Sequence, residues 1–208
     1  MRKVFLSMML LQPAKETKYL SDDFDLGEEK YLFPLTYMVA NNLEENDEVL
    51  LVTGVEAGNG SVHTSVDNYN KFKAEVNEIA AAKHAKIKFV ELDTKKDFDG
   101  VTFNTFFKNV AEQIQEGDTL FADITFGMKP YSFSMFIALA YVVKACKNVN
   151  LDTMIYAQKY TGSKMAKDTN ESMIYDLTGL FYLNQIAKQA ENGDRTALDS
   201  VLNFIIKE

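Results

Sequence analysis

Short apolar runs alternate with helical patterns along most of the chain, and this alternation constrains the fold more than any other feature. "RKVFLSMMLL" (2–11), "EVLLVTG" (48–54), "KIKFVELD" (86–93) and "TLFADIT" (119–125) read as strands. Helical patterns lie between and after them, at 33–46, 65–85, 103–118 and 132–148. Phe72, Val76 and Ile79 share one face of the second helix, and Phe136, Leu139, Ala140 and Val143 recur at helical spacing in the fourth. Pro34 suits a first helical turn, and Gly117 suits a helix stop. "LDTMIYAQKY" and "SMIYDLT" read as two late strands that can form a hairpin. Apolar strands separated by helices imply a mostly parallel sheet covered on both faces, which is an α/β, Rossmann-like architecture. The polar stretch "PAKETKYLSDDFDLGEEK" reads as one long loop, and the last thirty or so residues as two helices separated by "NGD" (192–194).

Such folds bind ligands beyond the C-terminal ends of their strands, where the strand order reverses. Three strand ends then matter most: "SMM" (7–9), "TG" (53–54) and "DITFGMKP" (123–130). The order of the strands is not readable from the sequence.

Composition narrows the function. The formal net charge is -8, which disfavours duplex nucleic acid, because phosphate binding needs clustered Lys and Arg. A small anion remains possible in one local basic pocket. No apolar run reaches the length of a membrane span of about 18 residues. "KVFLSMML" reads as a first strand rather than a signal peptide, since no small-residue cleavage site follows. Cys146 is the single cysteine, so the chain forms no internal disulfide and a cytoplasmic location is expected. His63 and His84 have no neighbours at metal-ligand spacing, so no metal and no cofactor are expected. "ELDTK" (91–95) reads as a charged strand exit. "TGVEAGNGS" (53–61) satisfies neither the dinucleotide fingerprint nor the P-loop, because Gly54, Gly58 and Gly60 have the wrong spacing. HEPN-type ribonuclease chemistry needs an arginine with a histidine a few residues on. The arginines are Arg2 and Arg195, and no histidine follows Arg195.

The stretch with most chemistry is "DITFGMKP". Thr125 offers a hydroxyl, Gly127 permits a close backbone approach, and Lys129 brings a point charge to the start of a helix. Phe126 and Met128 can contact a purine face, and Pro130 fits a first helical position. The same residues also describe an ordinary strand-to-helix turn with a solvated lysine.

"DITFGMKP" resembles the second motif of the CARF domains of CRISPR-associated proteins, in which a strand carries Asp-x-Thr-x-Gly with a Lys, Arg or Asn nearby. Where one branch of that family has a histidine this chain has Phe126, and Lys129 stands at the branch's asparagine. "KVFLSMM" (3–9) resembles the first motif, with Met8 and Met9 in place of small residues. "SMIYDLTGLFYLNQIAKQAENGDRTAL" (172–198) resembles the strand and linker helices that close such domains. The resemblance spans nearly the whole chain. It implies a CARF-like domain over 1–178 and linker or dimerisation helices over 179–208. It also implies a homodimer that binds cyclic oligoadenylate, a tetra- or hexa-adenylate ring, across its twofold axis and signals to an effector domain outside this chain. The implied ligand-binding residues are Ser7, Met8, Met9, Gly54, Thr125, Phe126, Gly127, Met128, Lys129 and Pro130. The alternatives are a metal-independent ring nuclease using Lys129 and Ser7, and an unrelated Rossmann-like nucleotide-binding regulator.

Overall fold

A computed structural model describes residues 2–56, 64–94, 99–159, 170–187 and 195–205. In chain order its elements are β1 (Lys3–Met8), β2 (Thr17–Leu20), β3 (Lys30–Tyr31), α1 (Pro34–Asn42), β4 (Glu48–Val55), α2 (Thr64–Ala82), β5 (Lys86–Asp93) and α3 (Gly100–Ala111). There follow β6 (Thr119–Asp123), α4 (Lys129–Ala145), β7 (Asn150–Lys159), β8 (Glu171–Asp176), α5 (Thr178–Ala187) and α6 (Arg195–Ile205). The fold is α/β, with an 8-stranded, mostly parallel sheet of order β3-β2-β8-β7-β6-β1-β4-β5. β5, β4, β1, β6 and β7 run parallel, and β8 pairs with β7 antiparallel. This is the Rossmann-like arrangement that the alternation predicts.

The sheet separates two apolar layers, and each strand feeds both by its two-residue period. Along β1, Val4, Leu6 and Met8 join the core under α3, α4 and α5, while Phe5 and the following Met9 join the core under α1 and α2. Tyr131, Met135 and Leu139 bring α4 onto the first layer. Phe33, Leu35, Phe72 and Val76 bring α1 and α2 onto the second.

Several boundaries differ from the sequence expectation, each for a local reason. α3 starts earlier, because Asp99 caps it by accepting the Thr102 N–H at 2.7 Å. It also stops well before Gly117, where the N–H groups of Gln113 and Ile114 donate to Val110 and Ala111 in tightened turns. α4 begins at Lys129 rather than at Ser132, so Pro130 lies in its first turn and Lys129 precedes it.

The expected loop between β1 and α1 contains the short strands β2 and β3. β2 buries a single side chain, Tyr19, and so has no alternating pattern to read. It runs parallel beside β8 at the far side of the sheet, and the chain crosses the ends of β6 and β7 to reach it. α5, at the expected boundary after residue 178, sets Phe181 fully into the core, where its ring meets Phe136 at 5.5 Å. The expected glycine-rich loop at 56–65 lies largely outside the described residues.

Candidate functional site

Among the parallel strands, β4 and β5 lie on one side of β1 and the later β6 and β7 on the other, so their order reverses between β1 and β6. The three strand ends singled out in the sequence are therefore neighbours. Met8 stands opposite Gly54 in the register, and Ser7 opposite both Thr53 and Asp123. The crevice expected there is filled by the chain itself. Met8 and Met9 are 2% and 1% exposed. A Cβ on Gly54 would overlap the Met8 sulfur, and one on Gly127 would come within 2.6 Å of the Met8 Cβ. Both glycines make room for this methionine, and Gly127 also holds φ at +87°. The close approach anticipated at Gly127 is thus to Met8, inside the protein.

The turn from β6 into α4 is fixed by polar contacts at each step. Asp123 accepts the Thr125 N–H at 2.8 Å, and the Thr125 hydroxyl accepts the Ala157 N–H from β7 at 2.7 Å. The Ser132 hydroxyl donates to the Phe126 carbonyl at 3.1 Å. Pro130 has no N–H, and the N–H groups of Tyr131 and Ser132 both donate to the Met128 carbonyl. The helix start therefore offers an anion fewer free donors than a helix N-terminus usually does. The charge available to an anion here is the exposed Lys129.

Open space lies on both sides of this turn. A cleft of about 480 Å³ is lined by Thr125, Gly127, Lys129, Phe133, Phe136 and Tyr156, with Ile124 and Ser132 between them. Lys129 is its one charged residue among those described, and Phe133, 66% exposed, supplies an aromatic face. A second cleft of about 300 Å³ opens beneath the segment that follows β1, between Gln12, Pro13 and Lys15 above and Thr125, Phe126, Tyr19 and Ser172 below. Asn68 of α2, fully buried, fastens that segment. Its amide donates to the carbonyls of Leu10 and Gln12 at 2.8 and 2.7 Å and accepts the Ala14 N–H at 3.1 Å.

Below the turn, Asp123 is 1% exposed. Burial lifts its carboxyl to about 6, while the Thr125 hydroxyl and the N–H groups of Thr125 and of Leu35 in α1 pull it down. Its Oδ2 has no hydrogen-bond partner, and neither do Ser7 Oγ and Thr53 Oγ1. Among the described residues no group of acidic, histidine or cysteine side chains could hold a metal.

The structure thus sorts the residues that the sequence nominated. Thr125, Gly127 and Lys129 meet at the larger cleft, Phe126 lines the smaller one, Met128 caps α4, and Pro130 sits on a neighbouring groove with Phe133. The side chains of Ser7, Met8 and Met9 are buried, and Gly54 is buried against Met8. Ser7 belongs to the α1/α2 side of the sheet by its alternation with Phe5 and Met9, whereas Lys129 opens α4 on the other side. The pair named for ring cleavage is therefore not assembled. Arg2 is bound to Asp118 at 2.7 Å, at the opposite end of β6. Phe133, Phe136 and Tyr156 were missed. Phe133 was findable as the residue one helical turn after Lys129, but Tyr156 enters through the β6–β7 pairing, which leaves no mark in the sequence. No helix among the described residues is long and apolar enough to cross a membrane. No protein-family model matches the chain, and no curated protein matches it.

Proposed function

We propose that this protein is a sensor of cyclic oligoadenylate, of the kind that its resemblance to CARF domains implies. The observation that carries the reading is the cleft beyond the C-terminal end of β6, beside β7, where Lys129 stands beside aromatic side chains at the first turn of α4. A cyclic oligoadenylate presents phosphates and purine faces. An ammonium answers the first and Phe133 or Tyr156 the second. A ring with twofold symmetry suits a homodimer in which each subunit makes the same contacts. Val101, Phe133 and Tyr141 are 73%, 66% and 55% exposed on α3 and α4, and give a dimer an apolar surface next to the cleft. The burial of Ser7 favours binding over ring cleavage, and among the described residues no histidine lines the cleft.

Titration calorimetry with cyclic tetra- and hexa-adenylate tests the proposal. The expected result is binding of one of them at one ring per two chains, and chromatography of the recovered ligand should find it still cyclic. No heat from either ring at high micromolar concentration would overturn it, and binding of mononucleotides equal to that of the rings would favour an ordinary nucleotide regulator.

A further inference from the structure

Thr53, Ser7 and Asp123 stand side by side on β4, β1 and β6 in the sheet register. Alternation puts all three on the α1/α2 side, since Leu51 and Val55, Phe5 and Met9, and Phe121 lie in that core. Their exposures are 0%, 2% and 1%, and each has an oxygen with no hydrogen-bond partner. Three adjacent unpaired buried oxygens are unusual, because buried polar groups are nearly always satisfied.

We propose that this row holds internal water, one molecule between Ser7 Oγ and Asp123 Oδ2 and another between Ser7 Oγ and Thr53 Oγ1, and that Ser7 is thereby a positioning residue for the β6–α4 turn. Spacing supports this occupant. Neighbouring strands lie about 4.8 Å apart, so side chains across them bond directly only by leaning together, and these three atoms do not. A water at ordinary hydrogen-bond distance from both spans up to about 5.6 Å. A single cation, with ligand oxygens at about 2.4 Å, would not reach both outer side chains across two strand spacings. Water also finds the donors and acceptors it requires here, since each hydroxyl both gives and takes.

The consequence reaches the turn. Asp123 Oδ1 holds the Thr125 N–H, and Thr125 Oγ1 holds the Ala157 N–H, so the carboxyl orientation sets the turn that ends at Lys129. The groups around the carboxyl are the Thr125 hydroxyl and N–H, the Leu35 N–H of α1, and Tyr19 of β2, whose phenol is pushed up by burial first and by Asp123 second. Glu75 of α2 acts on the same phenol. Asp123 Oδ2 nonetheless has no partner, which leaves room for Ser7, through water, to add a donor to those the carboxyl already has from Thr125 and Leu35. The inference concerns the scaffold and stands apart from the identity of the ligand.

Two measurements on the full chain decide it. A crystal structure that resolves ordered solvent is expected to show density within hydrogen-bond distance of Ser7 Oγ and Asp123 Oδ2. Direct contact between these side chains, or solvent-free packing around them, would overturn it. Carboxyl NMR is expected to show the Asp123 titration moving up by about one unit in Ser7→Ala, since a donor to the carboxylate is lost. A titration identical to that of the unaltered protein would also overturn it, because a Ser7 that only fills space does not move that value.

Discussion

Gly127 and Met8 occupy each other's space, and this makes Gly127 the most exacting position in the turn. Gly127→Ala would introduce a Cβ within 2.6 Å of the Met8 Cβ on a backbone already at φ +87°. Strain and overpacking together are expected to cost about 2–4 kcal/mol. Chemical denaturation measures this loss, and a change below about 0.5 kcal/mol, as at an ordinary surface site, would show that the turn relaxes freely. Asp123 gives a second prediction at this scale. Its folded carboxyl titrates near 6, above the usual 3.8, because burial penalises the charge. The folded state therefore keeps the proton to higher pH than the unfolded state does. Below the unfolded value both are protonated and no penalty exists. Stability then falls as pH rises from about 4 to 6, by about 3 kcal/mol in all. Asp123→Asn is expected to remove that fall from a series of unfolding curves between pH 4 and 7. An identical slope in the variant would mean that the carboxylate is solvated.

At the scale of elements, the segment joining β1 to β2 depends on a helix distant in sequence. Asn68 satisfies three backbone groups of residues 10–14, and Asn68→Ala would leave two carbonyls and one N–H, in part-buried surroundings, without it. The expected cost is about 2–4 kcal/mol. Amide hydrogen exchange should quicken over residues 10–14 far more than in β4 or β6. Uniform quickening throughout the sheet would show that Asn68 supports the core rather than this segment.

The same comparison shows what was legible. β1, β4 and β6 were readable, because a central parallel strand is a continuous apolar run bounded by turn residues, and β5, at the sheet edge, through the alternation at its start. β2 and β3 were not, because two short strands with one buried residue between them depend on partners supplied from elsewhere in the chain. The turn at 123–130 was legible as an exceptional sequence. Its glycine was read as a ligand feature, yet it answers to Met8, a contact between two strand ends whose adjacency only the topology reveals. Ser7 likewise was named as a ligand contact at a strand end, and alternation with Phe5 and Met9 turns it inward.

For the whole molecule, the proposal requires two copies meeting beside the Lys129 cleft. Tyr141, 55% exposed and 5.6 Å from the Phe107 ring, lies on the apolar face of α3 and α4. Tyr141→Asp is expected to shift sedimentation from dimer to monomer while leaving the fold intact, since the residue contributes little to the core. A dimer unaffected by this change would place the interface elsewhere. The most direct test of the account is the affinity of Lys129→Ala for cyclic oligoadenylate, measured by calorimetry beside the unaltered protein. Each subunit would lose one charge-assisted contact worth about 1.5–3 kcal/mol. Two subunits meet one ring, so affinity should fall about a hundredfold or more. Thermal stability should hardly change, because Lys129 is exposed. A variant that stays dimeric and binds the ring within a factor of about two or three of the original would contradict the account, and would leave residues 123–130 as no more than a turn between a strand and a helix.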